Sequence, residues 1–419
     1  MLSGKPRIWI VNQYANTADM PGGTRHYEIA SYLVKQGLDI ELFSSDFNLS
    51  RREFLRLDGF KIHKKEKING INWHWLKVIP YQKNNWKRYL NQASFCLHFF
   101  LRQYLKMIFD IFKNKTPDLI IASSPQLILS FFALLISKAF RKPFIFEVRD
   151  LWPQVLIDLG GMDPNSVFIK FLKKIECFLY KKSNYVVVLS KGSIEYVKNR
   201  GAKNVIWLPN GPDLKKFKST SNLNYFEPYE KELTFKCIYA GSHGVANDLE
   251  NVIDTAKLLV DKPIKFIFIG DGTEKKKLIK KAFGLKNIEF IPSVSKELMP
   301  MKLASADVIL ISLKDIGLFK YGISPNKLYD AYALSIPVIC TIKGSIKNEI
   351  EINKLGYAAD PGKPRELAKA IMKMYELPIK ERRKMGKRAR EIAEKIYSRE
   401  KVCKYYETLI KKIISYESR

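Results

Sequence analysis

The sequence predicts an α/β protein made of two doubly wound domains, and three observations lead there. Runs rich in Val, Ile and aromatic residues alternate with amphipathic helical runs along most of the chain, the pattern of a largely parallel sheet covered by helices. The alternation stops at a polar interval, residues 210–232, and restarts beyond it. At 419 residues the chain exceeds the size at which one core keeps growing, so two domains of about 200 residues each are expected.

The elements follow in order. "RIWIVNQ" (7–13) reads as a strand, and "TRHYEIASYLVKQG" after it as a helix, with Tyr27, Ile29, Ala30, Leu33 and Val34 on one side and Gly37 as its stop. Strands recur at "DIELFSS", "INWHWLKVI", "DLIIAS", "PFIFEVR", "NYVVVLS" and "NVIWLPN". Residues 1–209 thus form the first domain and the polar 210–232 the linker. A second domain, 233–385, carries "FKCIYAG", "KFIFIGDG", "IEFIPS", "DVILISL" and "PVICTI" with helices between, and the charged 386–419 reads as terminal helices. Two such sheets imply ligand binding in a central cleft, where the carboxyl ends of their strands meet.

The formal charge of +30 calls for an anionic partner: a phosphorylated substrate, an anionic leaflet or nucleic acid, unless the lysines are background. No nucleic-acid module is visible, which argues against the last. The five cysteines are scattered and signal neither a disulfide framework nor a zinc site. The amino terminus runs straight into a strand without a signal-peptide core. The longest uncharged run, Leu119 to Ser137, is broken by "SSPQ" and falls short of a membrane span. A reduced, cytoplasmic compartment is expected.

"SPNKLYDAYALSIPVI", from Ser324, carries the sharpest site signal. Ser324 suits an N-cap and Pro325 the first helical position. The backbone amides of the helix start, with Asn326 and Lys327, favour an anion such as a diphosphate. Asp330 shares their face one turn on, where its carboxylate can accept hydroxyl protons from a ribose; a plain capped helix is the alternative. In "MPGGTRH", Gly22 and Gly23 let amides approach a phosphate or sugar, with Arg25 and His26 as added donors, although a tight turn explains them equally. "EVRDLWP" leaves Arg149 and Asp150 at the end of a strand. Asp150 is the first choice to orient or deprotonate an acceptor hydroxyl, against a structural ion network of Arg149 with Asp150 or Glu147. Trp152 either stacks on a sugar or packs. "YAGSHG" supplies Gly241, His243 and Gly244; "GDGTEKKKL" supplies Gly270 and Gly272, a motif of low specificity. No metal-binding Asp-x-Asp ends a strand, so no metal or cofactor is expected.

From Trp86 to Lys115 a narrow polar stripe runs through an otherwise apolar helix with six Lys or Arg and one acid. Either the helix is wedged in the core or it rests in a membrane interface.

In order and spacing, the set "PGGTRHYEIASYLVKQG", "FEVRDLWPQ", "NYVVVLSKG", "LPNGPD", "YAGSHG", "FIGDGTEKKKL", "SADVILISL" and "SPNKLYDAYALSIPVI" resembles the retaining glycosyltransferases of family 4. The likeness is greatest to the WbuB-like branch that builds O-antigens and capsules. It implies the GT-B architecture, two Rossmann-like domains with the C-terminal helices crossing back to the first. It also implies a hexosyltransferase working without metal, with UDP-sugar as donor (an N-acetylated hexosamine) and a polyprenyl-diphosphate-linked saccharide as acceptor, at the inner face of the cytoplasmic membrane. By this resemblance Lys327, Asp330 and Asp150 are catalytic. Gly22, Gly23, Gly241, His243, Gly244, Gly270, Gly272, Val294, Ser324 and Asn326 bind the donor, and Arg25, Arg149 and Trp152 the acceptor. Asp330 stands where the family has its second conserved Glu, and Gly322 where it has the first; the Arg and Lys that many members carry in the "YAGSHG" loop are missing. A UDP-N-acetylglucosamine 2-epimerase shares the architecture and is the alternative reading.

Overall fold

The structure is a computed structural model that describes residues 5–20, 23–49, 52–82, 86–113, 115–215, 217, 234–295 and 298–417, with side chains to 415. Most of the expected linker and Gly22 lie outside the described residues. The chain divides into two compact units: unit 1 comprises 1–189, 193–208 and 403–419, and unit 2 comprises 190–192 and 209–402.

Unit 1 runs β1 (Arg7–Val11), α1 (Arg25–Lys35), β2 (Asp39–Ser45), the short β3 (Phe47–Asn48) and β4 (Glu53–Phe54), β5 (His63–Ile68), β6 (Ile71–Leu76), α2 (Trp86–Ile111), β7 (Leu119–Ser123), α3 (Leu127–Ala139), β8 (Phe144–Val148), α4 (Gln154–Asp158), α5 (Val167–Lys182), β9 (Tyr185–Val188), α6 (Ser193–Lys198) and β10 (Val205–Trp207). Eight strands form one sheet in the order β10-β9-β8-β7-β1-β2-β6-β5. All neighbours are parallel except β5, which pairs antiparallel with β6. Its lysine-rich "HKKEKI" suits an edge, where charge blocks further pairing. The central strands bury both faces, with Ile8, Ile10, Ile120, Phe144, Phe146 and Val187 in the core, as parallel sheets require.

Helices α2, α3 and α5 pack side by side, joined by the ring contacts Tyr89–Phe168, Phe100–Phe132 and Phe131–Phe178. The core-wedge reading of α2 is corrected here. Only a narrow stripe, including Asn91, Phe95, Phe99, Gln103 and Met107, is buried, while Trp86 (63%), Leu101 (51%), Phe109 (66%) and Phe112 (84%) face solvent. Part of the polar stripe turns inward: Asp110 is buried beside Lys106.

Unit 2 runs β11 (Phe235–Ala240), α7 (Leu249–Leu258), β12 (Ile264–Ile269), α8 (Lys275–Lys281), β13 (Ile288–Ile291), α9 (Met299–Ala304), β14 (Val308–Ser312), α10 (Asn326–Ala333), β15 (Val338–Thr341), α11 (Ser345–Ile352), β16 (Gly356–Ala358), α12 (Pro364–Glu376), α13 (Ile379–Ile392) and α14 (Arg399–Glu417). The sheet order is β13-β12-β11-β14-β15-β16, all parallel. Phe266, Phe268, Val308 and Leu310 on the strands meet Val252, Ile253, Ile371 and Met374 on helices in one core. Helix α13 runs through position 385, so the terminal helices begin earlier than the charge pattern suggests. Helix α14 starts in unit 2 and, from Cys403, belongs to unit 1. Among the described residues no helix is long and apolar enough to cross a membrane.

Candidate functional site

Each sheet reverses its strand order at one point, between β1 and β7 in unit 1 and between β11 and β14 in unit 2, the places where such sheets bind ligands. Lys327 and Gly241 lie at the second and Gly23, Arg149 and Asp150 at the first.

In unit 2, the loop after β11 and the start of α10 come together. Lys327 Nζ donates to Tyr239 Oη and to Asn247 Oδ1, both at 2.8 Å, and lies 4.2 Å from the centre of the Tyr239 ring. Lys327 as a residue is half-buried, yet this ammonium is enclosed by neutral partners and has no carboxylate within ion-pair distance among the described residues. Burial therefore pushes its pKa down to about 7. A Cβ on Gly241 would stand 3.5 Å from that nitrogen, so the glycine spares the ammonium one further neighbour. Asp330 lies one turn along α10 and is half-buried, and Asn326, at the helix start, is exposed.

Several of the expected donor residues are engaged in packing the loop itself. Gly270 and Gly272 back onto the neighbouring loop: added Cβ atoms would meet Gly241 O at 2.0 Å and His243 O at 2.5 Å. They hold that loop in place through close backbone packing. Lys275 clamps the same turn, donating to Gly270 O and to Asp271, whose other oxygen accepts the Ser293 amide beside half-buried Val294. His243 is fully buried with neither ring nitrogen hydrogen-bonded, edge-on to Phe268 and Phe290. Burial pushes it down to about 4, so it is a neutral packing residue under the loop. Gly244 stays at the loop's outer end beside Ser242. Ser324 is not the cap: Pro325 occupies that position in extended conformation. The Ser324 hydroxyl instead accepts the Asn210 amide at 2.9 Å and meets Tyr329 Oη at 3.0 Å, which ties the helix start to the segment after β10.

In unit 1, a cavity of about 250 Å3 opens at the carboxyl ends of β1, β7 and β8, with Gln13, Tyr14, Asn16, Asn48, Arg149 and Asp150 among its walls. Ser124 sets the 149–150 turn by accepting both backbone amides, at 2.8 and 3.1 Å. Asp150 is solvent-accessible, but the walls around it strip much of its water; that desolvation raises its pKa, with Arg149 opposing. A proton acceptor whose basicity is raised suits hydroxyl activation. Gly23 lines the cavity beside the Arg149 guanidinium. Trp152 is half-buried and is not among the lining residues.

Arg25 is corrected from acceptor contact to structural anchor. It is buried, forms an ion pair with Glu147 at 3.1 Å and donates to Leu208 O. His26 Nε2 lies 3.1 Å from the same carboxylate, and Tyr406 of α14 donates to it at 2.7 Å. Sequence reasoning missed Gln13, Tyr14 and Asn48 as cavity walls and Tyr239 and Asn247 as the lysine's seat. The one available signal was their position just after strands, at the carboxyl edge of each sheet.

Residues 224–392 match the family model described as glycosyl transferases group 1. The chain is 24% identical over 399 residues to WcaI of Escherichia coli K12, whose name assigns it to colanic acid biosynthesis as a glycosyl transferase; the match covers 90% of this chain and 93% of WcaI. Among solved structures, sucrose-phosphate synthase from Thermosynechococcus elongatus superposes with a TM-score of 0.72 at 14% identity, covering 98% of this chain and 100% of that one. Anabaena HepE, solved with UDP and glucose, gives 0.67 at 14% identity, covering 97% and 100%. The chain thus has the two-domain GT-B fold, and its second half is related to the group 1 glycosyl transferases.

Proposed function

We propose that the protein transfers a sugar from a UDP-sugar to a hydroxyl of a lipid-linked saccharide, in the assembly of a cell-surface polysaccharide. The observation that carries this is the Lys327 ammonium, held by neutral partners without a carboxylate at the start of α10, beside Gly241. Such a seat has one charge to offer and an anion to gain, and a diphosphate matches it. Asp330, one turn on, takes the ribose hydroxyls. Asp150 receives the acceptor proton. The bond from the anomeric carbon to the diphosphate oxygen breaks, the acceptor oxygen forms the new glycosidic bond, and UDP leaves with its charge met by Lys327 and the α10 amides. The matched family model and the HepE complex with UDP support the donor class; the resemblance to family 4 supports retention of configuration and an N-acetylated hexosamine.

Incubating the purified protein with UDP-N-acetylhexosamines and bacterial lipid extract in EDTA is expected to release UDP and yield a glycosylated lipid. Asp150→Asn should lower turnover by about 10²-fold or more. No UDP release from any donor would sink the reading, and an epimerised donor without transfer would favour the epimerase.

We also propose that unit 1 rests on an anionic membrane surface. The three-helix layer exposes Trp86, Leu101, Phe109, Val167 and Phe171, while its two carboxylates, Asp110 and Glu176, are both buried. Its exposed charges, Lys87, Arg102, Lys138, Lys170, Lys174, Lys181 and Lys182, are all cationic, the pairing that interfacial helices use. Cosedimentation with vesicles containing anionic lipid should fall about tenfold for Leu101→Asp with Phe109→Asp; equal binding of variant and wild type would remove the proposal.

A further inference from the structure

Two arginines outside the sites above share a feature with Lys327. Neither Arg52 nor Arg88 has a carboxylate within ion-pair distance among the described residues, and the Arg88 Nε is buried without a hydrogen-bond partner. Arg88, in the first turn of α2, lies within electrostatic reach of the hydroxyls of Tyr14 and Tyr81, and Arg52 within reach of Tyr81. The Arg52 guanidinium is 5.7 Å from the centre of the Tyr81 ring. Arg52 holds this place from a left-handed backbone, φ 60°, which is uncommon for a residue other than glycine.

The surroundings bear on what these charges meet. Tyr14 is a wall of the unit 1 cavity. The next turn of α2 is bonded to that wall: Gln92 donates to Tyr14 Oη at 3.1 Å, and Asn91 accepts from Gln13 at 2.8 Å. On its other side Arg88 is flanked by Trp86, Tyr89 and Leu90, all exposed, and Tyr89 touches Phe168 of α5. Within one turn and a half of helix the surface passes from a polar cavity, through two guanidinium groups that both act on Tyr81, to an uncovered apolar face. A molecule matching that order has a sugar, then a compact multiply charged anion, then a hydrocarbon chain. Guanidinium forks suit phosphate oxygens.

We infer that Arg52 and Arg88 seat the diphosphate of a prenyl-diphosphate-linked acceptor, with its saccharide in the Tyr14 cavity and its chain along the apolar face of α2. The inference rests on the lipid-linked-acceptor reading above and adds the residues that recognise the lipid's headgroup. Arg52 and Arg88 make no contact with the reacting atoms and act by fixing the acceptor.

The test is calorimetric titration of the full-length protein, with UDP saturating, using farnesyl diphosphate as probe and inorganic diphosphate and farnesol as controls. Farnesyl diphosphate is expected to bind at least about tenfold tighter than either control. Arg52→Gln and Arg88→Gln should each weaken it by about tenfold, while UDP affinity stays unchanged and reports an intact fold. The inference is overturned if wild type ignores farnesyl diphosphate, if the variants bind it equally well, or if inorganic diphosphate binds as tightly, which would make the site a seat for free phosphate. Arginine-dependent binding of farnesyl diphosphate by a protein that ignores UDP would instead remove the donor assignment and leave this site standing.

Discussion

Titration with UDP at pH 8 is expected to draw about one proton per nucleotide from the buffer. Burial holds Lys327 down to about 7, so at pH 8 most molecules carry it neutral. A diphosphate beside it supplies the missing counter-charge and restores the proton. From pH 8 to 9, where the diphosphate is fully ionised and the uracil ring keeps its proton, affinity should fall by up to about tenfold. Comparing binding heats in buffers of different ionisation enthalpy reads the proton directly. Lys327→Met should abolish the uptake and weaken UDP by about 2 kcal/mol, roughly thirtyfold. Stability moves the other way. The folded pKa lies below the unfolded lysine value of about 10.4, so the unfolded chain binds more protons between the two and wild-type stability rises with pH across that window. The Met variant should lose that rise and be the more stable protein at pH 7. UDP binding without proton uptake would show that the ammonium is not the diphosphate's partner.

Glu147→Ala is expected to destabilise unit 1 by about 3–5 kcal/mol, read by denaturant or thermal unfolding. The carboxylate is fully buried and meets Arg25, His26 and Tyr406. Removing it takes the Glu147 counter-charge away from the buried Arg25 guanidinium. Tyr406→Phe, which deletes one hydrogen bond, should cost only about 1 kcal/mol. Burial alone would raise the Glu147 pKa, but the Arg25 charge and then the His26 contact overcome it and hold the carboxyl well below its ordinary range. The contribution is complete above the unfolded glutamate value of about 4.3 and is lost as pH falls through the lower folded value. Glu147→Gln should therefore be inferior at pH 7, with its disadvantage shrinking in strong acid. Equal stability of Glu147→Ala and wild type would mean that water reaches Arg25.

What the sequence made legible was local. Strand and helix periods are written in adjacent residues, so both sheets and the loops at their carboxyl ends could be placed. The edge strand β5 escaped because "HKKEKI" lacks the apolar alternation that marks a half-buried strand. The apolar breadth of α2 was visible, but which part of it is covered depends on the helices that pack beside it. Ser324 had the residue type and position of a cap; its partner, Asn210, lies 114 positions away. Arg25 and His243 are buried for the same reason. Their fates are set by Glu147 and by Phe268 with Phe290, none of which is near in sequence.

Helix α14 couples the two units through the order of synthesis. Its residues from Cys403 onward, Tyr406 among them, complete the first unit's interior. A ribosome finishing residue 208 has therefore not finished that unit, which must wait for the whole second unit to be synthesised before its Glu147 is fully satisfied. A nonsense or frameshift allele just beyond Val402 would leave the second unit nearly whole on paper and strike the first unit instead.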